Sequence, residues 1–135
     1  MPKTFVTTRR IQFAETDLAG VLHFSNYYRL MEEAEHAFWR SIGESVVKRD
    51  GEREIGWPRA STSCDYFAPA SFEDELQLTL TIAKVSDQSV MFEVQFRRGN
   101  ERLAVGRMTV VCCALEQGGF RPIPIPDSIR EKLTQ

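Results

Sequence analysis

A chain of 135 residues suffices for one domain, residues 1–135, large enough to bury roughly two thirds of the surface its unfolded form exposes. Lysines and arginines number 17 against 19 aspartates and glutamates, which excludes the strongly basic surface that nucleic acid or an anionic membrane demands, so a charged ligand must be recognised locally. The three cysteines form an odd set in which Cys112 and Cys113 point to opposite faces of a strand; with no apolar run of signal-peptide or membrane-spanning length, the expectation is a soluble, reduced, cytoplasmic protein.

The first predicted element is a strand from about Thr4 to Phe13, with Phe5, Thr7, Ile11 and Phe13 on one face and Arg9 interrupting it. A tight turn, Asp17 to Gly20, follows. Ser25 then stands as N-cap of a helix in which Tyr27, Leu30, Met31, Ala34, Phe38 and Ile42 recur at helical spacing, while Glu32, Glu33, Glu35 and Arg40 fall mainly on the other side. Gly43 suits the C′ position that ends it. A helix of four or five turns with one apolar stripe needs a sheet to lie on.

The charged stretch Glu44 to Gly56 reads as a short surface helix or loop. Extended segments come next: Pro58 to Ala68, Glu75 to Val85 with alternating Leu76, Leu78, Leu80 and Ile82, and Ser89 to Phe96 with alternating Val90, Phe92, Val94 and Phe96. Gly99-Asn100 signals a hairpin into a last strand, Leu103 to about Leu115. The apolar run from Met108 to Leu115 places that strand centrally, with the helix on one face and room for another subunit beyond the other. Prolines 122, 124 and 126 make a stiff tail leading to a short helix over 127–133.

The pattern is α+β: one long helix segregated to a face of a curled antiparallel sheet of about five strands. On the residues Arg10-Ile-Gln-Phe, Thr16-Asp17-x-Ala19-Gly20-Val21, Asn26-Tyr27, Gly56-x-Pro58 and Ala70-Ser71-Phe72-Glu73-Asp74, the chain resembles the hotdog-fold acyl-CoA thioesterases of the 4-hydroxybenzoyl-CoA thioesterase-like group. The likeness spans nearly the whole chain. It implies hydrolysis of an acyl- or aroyl-CoA, coenzyme A being part of the substrate, and the expectation is that no cofactor or metal is needed. It further implies a homodimer or homotetramer with active sites at the subunit boundary.

The chemistry has its own argument. A thiol has an ordinary pKa of about 8.5, so a thiolate leaves a tetrahedral intermediate with little help from an acid. What remains necessary is a nucleophile or an activator of water, and donors for the oxyanion. Asp17 suits either role, and the unpaired backbone N–H groups at the helix start, that of Phe24 first among them, suit the second. The resemblance implies the same roles for both. The alternative for Asp17 is a turn former that bonds its own backbone.

His23 is a candidate for assisting catalysis, with a structural role at the turn as its alternative. A related branch of the family carries histidine one place later, where this chain has Phe24, so that role does not transfer. His36 reads as helix surface or subunit contact, and Cys64 as a packing residue. Gly20, Tyr27 and Trp57 are candidate substrate-binding positions; the aromatics, with Tyr28, serve equally well as packing. Arg97 and Arg98, with Arg102 and Arg107, offer a basic cluster for the phosphates of coenzyme A, against a solvated hairpin. A relative within the family carries basic residues in the turn where this chain has Ser86-Asp87-Gln88. Two other functions compete with hydrolysis: a groove that binds an acyl or aryl ligand without reacting, and hydration of an enoyl-CoA, which needs a paired acid and histidine.

Overall fold

The computed structural model describes residues 3–135. Its main sheet has five antiparallel strands: β1 (Thr4–Arg10), β4 (Arg59–Tyr66), β5 (Glu75–Val85), β6 (Ser89–Arg98) and β7 (Glu101–Val111), in the spatial order β1-β5-β6-β7-β4. The helix α1 (Asn26–Ser41) lies against it, which is the hotdog architecture expected from the sequence. Alternation sets β5 and β6: Leu76, Leu78, Leu80 and Ile82 and then Val90, Phe92, Val94 and Phe96 are all buried on one face of the sheet, which α1 covers together with the C-terminal helix. The helix answers with Tyr27, Leu30, Met31, Ala34, Phe38 and Trp39. Each large apolar side chain so buried contributes about 1.5–3 kcal/mol.

The helix sits close to the sheet because β7 presents Gly106 to it. A Cβ placed there would lie 2.4 Å from Met31 Sδ, inside any tolerable contact. The helix ends at Gly43, whose φ of +78° is the left-handed conformation a C′ residue adopts.

Several sequence expectations are corrected. The first strand stops at Arg10, and a 3₁₀ turn over Phe13–Glu15 turns Phe13 out into solvent. Ser25 occupies the N-cap position without capping through its side chain. Glu35 is not on the solvated side of α1; it is fully buried, where the indole N–H of Trp39 (3.0 Å) and Arg59 (2.6 Å) satisfy its carboxylate.

The stretch from Glu44 to Gly56 is neither helix nor loop but a hairpin, β2 (Val47–Asp50) and β3 (Arg53–Gly56). It joins β8 (Cys113–Glu116) and β9 (Gly119–Pro122) in a second, four-stranded sheet, order β2-β3-β8-β9. The predicted last strand is therefore two, hinged at buried Cys112, whose N–H bonds Gln88 and whose carbonyl receives Ile123 N–H. Its apolar character on both faces comes from this passage between sheets. The proline tail leads to α2 (Asp127–Thr134), which buries Ile129 and Leu133. Cys64, Cys112 and Cys113 are free thiols.

Candidate active site

The segment between β1 and α1 is built around the backbone of Asp17. Its N–H donates to Val21 O and its carbonyl receives Gly20 N–H, both at 2.9 Å, closing a tight turn that Gly20 completes at φ +82°. Leu22 N–H then bonds Ala70 O at 2.8 Å, fastening the turn to the strand-leading segment before β5. The carboxylate is oriented by the same turn: Oδ1 accepts the N–H groups of Ala19 (2.9 Å) and, at longer range, Val21 (3.4 Å). Among the described residues no protein donor reaches Oδ2. The turn-forming role and a chemical role thus coexist, since the bonds that fix one oxygen leave the other unengaged.

A second set of bonds sets the entry to α1. Glu15 O accepts His23 N–H (3.0 Å) and the side-chain amide of Asn26 (2.8 Å), and His23 O accepts Asn26 N–H (2.9 Å). The N–H of Phe24, lying between these, has no protein acceptor among the described residues. It is an orphan donor at a helix start, the kind of group that holds an anion. Glu15 is itself clamped by Arg9, whose guanidinium spans to Glu33 on α1. The hydrogen bond from Arg9 holds the Glu15 carboxyl below the ordinary glutamate range, against the opposing effect of burial.

Asp17 and Phe24 open onto one groove of about 380 Å³, lined also by Val21, Leu22, Tyr27, Tyr66, Phe67, Ala68 and Pro69. Its far wall comes from the end of β4 and the loop after it. Tyr66 packs edge-on against Tyr27 at 4.9 Å and donates its hydroxyl to Phe24 O at 3.3 Å. Burial pushes the Tyr66 hydroxyl up to about 12, and it also raises that of Tyr27, so both stay protonated at ordinary pH.

The other candidates distribute differently. His23 Nδ1 receives Ser25 N–H (3.2 Å) and lies 2.8 Å from Ser25 Oγ, which puts the neutral ring's proton on Nε2; its ring stacks on Phe24 and does not line the groove. Gly20 shapes the turn but does not line the groove either. Trp57 lies elsewhere, stacked on Trp39 at 4.7 Å and lining a separate cavity with His36, Val46 and Phe120. Arg98 is engaged by Asp74 (2.6 Å), Glu101 and Pro69 O, while Arg97 bonds Gln95. Cys64 is half-buried, its thiol pushed up to about 11 by burial, as befits a packing residue. Sequence reasoning passed over Tyr66, Phe67 and Pro69; the one signal available was an aromatic pair at a strand end ahead of Ala68-Pro69.

Among the described residues no group of three or more His, Cys, Asp or Glu side chains gathers as a metal site, and no helix is long and apolar enough to cross a membrane. A family model described as the thioesterase-like superfamily matches residues 11–133. A putative esterase of Aquifex aeolicus is 34% identical over 122 residues, covering 89% of this chain and 91% of the relative. A 1,4-dihydroxy-2-naphthoyl-CoA hydrolase of Synechocystis is 30% identical over 125 residues, covering 91% of each. Among solved structures, a 1,4-dihydroxy-2-naphthoyl-CoA thioesterase from Synechocystis superposes with a TM-score of 0.83 at 25% identity, covering 97% of this chain and 96% of that one.

Proposed function

Because the chain belongs to the thioesterase-like superfamily, we propose that it hydrolyses the thioester of an acyl- or aroyl-CoA, with Asp17 as nucleophile or general base and the N–H of Phe24 as oxyanion donor. The observation that carries this reading is the shared groove: a carboxylate with one oxygen fixed and one unengaged, beside an unpaired amide at a helix start. Attack by Asp17 Oδ2 on the thioester carbon, or by a water whose proton Oδ2 takes, moves an electron pair onto the carbonyl oxygen. The Phe24 N–H is preorganised to receive that charge, a contribution worth about a hundredfold in rate for one such donor. Collapse breaks the carbon–sulfur bond and expels coenzyme A as thiolate, which needs no acid. In the nucleophilic route water then hydrolyses the mixed anhydride; in the other the acid is released directly.

Phe24 and Phe67 line the groove and stay exposed, and Phe13, Leu18 and Phe72 are exposed as well, uncovered apolar surface that supports a homodimer or higher homo-oligomer in which a second protomer closes the groove. Three free thiols favour a reducing cytoplasm. The experiment is thiol release from a panel of acyl- and aroyl-CoA esters. Asp17→Asn and Asp17→Ala are expected to lose a hundredfold or more in kcat while circular dichroism shows the native fold. Unchanged rates in either variant would remove Asp17 from the reaction.

A further inference from the structure

Four arginines sit on β6 and β7 near the groove, and they are not equivalent. Arg98 is held by Asp74 and Glu101 and ties down Pro69, a wall residue. Arg107 faces Asp65 at 3.7 Å and Glu93 at 3.5 Å. Arg102 has no carboxylate within ion-pair distance among the described residues. Its guanidinium carbon lies 4.4 Å from the centre of the Phe67 ring, and Phe67 is a wall of the groove that holds Asp17. Arg97 also lacks a carboxylate, and it stands opposite Arg102 in the β6–β7 register.

Two cations facing each other across a strand pair are mutually repulsive unless an anion lies between or beside them. The Arg102 cation is held over the Phe67 ring, and among the described residues none of its N–H groups has a protein acceptor, which leaves free the fork that matches a phosphate. The other end of β6 offers no such place. There the carbonyl of Asp87 is taken by Ile125 N–H and Arg130, that of Ser86 by Arg130 and that of Gln88 by Cys112 N–H, so the chain's own C-terminal segment covers the turn.

We propose that Arg102, with Arg97 opposite, is the anion subsite that receives the nucleotide phosphates of the coenzyme A moiety, entering across Phe67. The inference rests on the thioesterase reading for its ligand, and a binding measurement separates the two. Calorimetry is run on the full chain with coenzyme A and with pantetheine, which lacks the phosphates and the nucleotide. Arg102→Gln is expected to weaken coenzyme A about tenfold and to leave pantetheine unchanged, with Arg102→Lys intermediate. The control Lys84→Gln, an exposed cation outside the groove, leaves both ligands unchanged. The wild-type preference for coenzyme A over pantetheine is expected to shrink as salt rises.

Equal coenzyme A affinity in wild type and Arg102→Gln overturns the subsite, as does an equal loss for both ligands, which would mark Arg102 as a support for Phe67 only. Failure of the wild type to bind coenzyme A overturns it too. Coenzyme A bound through Arg102 with no thiol released from any ester leaves the subsite standing and removes hydrolysis instead.

Discussion

The hydroxyl of Tyr66 on β4 donates to the carbonyl of Phe24 at the start of α1, 3.3 Å away, joining the two walls of the groove at the residue whose N–H faces the reacting carbonyl in the proposed reaction. Tyr66→Phe removes that bond and keeps the ring against Tyr27. Stability is expected to fall by about 1 kcal/mol. Steady-state kinetics are expected to show kcat reduced severalfold with KM little changed, since the substrate still fits but the amide is less firmly held. An unaltered kcat would mean that the helix start is rigid without Tyr66.

The clamp of Arg9 on Glu15 predicts an acid-sensitive component of stability. Glu15 has a folded-state pKa below its unfolded one, chiefly through the hydrogen bond from Arg9. Its contribution is therefore fully present above the ordinary glutamate range and is lost as pH falls through the depressed folded value. Melting temperatures of wild type and Glu15→Gln should differ at neutral pH and converge in acid. A constant difference across the range would show that the pair contributes packing rather than charge.

Gly106→Ala tests the close approach of α1 to the sheet. The added methyl collides with the thioether of buried Met31, which must shift to admit it. Denaturant titration is expected to give a loss of about 1–3 kcal/mol. In a double-mutant cycle with Met31→Ala the two losses should fall well short of additive, because the smaller residue makes room for the methyl. Strict additivity would place the strain somewhere else.

Arg59 is the charge partner of fully buried Glu35. Arg59→Leu leaves that carboxylate with only the Trp39 indole as donor, and the expected cost is about 2 kcal/mol or more, less than for a wholly buried pair because Arg59 is partly exposed. Adding Glu35→Gln should recover much of the loss. Chemical denaturation of the three variants measures both, and a double variant no better than Arg59→Leu alone would deny the charge its part.

The elements most legible in the sequence were those with strict periodicity. The Leu76-to-Ile82 alternation gave β5 its observed bounds, and the apolar stripe from Tyr27 to Phe38 gave α1 its buried face. The Asp17 turn and the orphan Phe24 amide were also readable, because both are set within a few residues of chain. The β2–β3 hairpin was not, since four-residue strands such as Val47-Lys-Arg-Asp50 carry no alternation that outweighs their charge. Glu35 was misread because helical spacing says nothing of a partner 24 residues away. Tyr66 and Phe67 were missed for the same reason: they reach Asp17 only through the pairing of β4 with β7, a long-range event that no local window contains.

The passage of one strand from the five-stranded sheet into the four-stranded sheet through Cys112 has a mechanical corollary. The backbone on either side of that cysteine shares a single run of covalent and hydrogen bonds, with Gln88 on one flank and Ile123 on the other. The smaller sheet is therefore not a flap free to lift away: amide protons in β3 and β8 should exchange with solvent at rates set by the opening of β7 itself, as one cooperative unit.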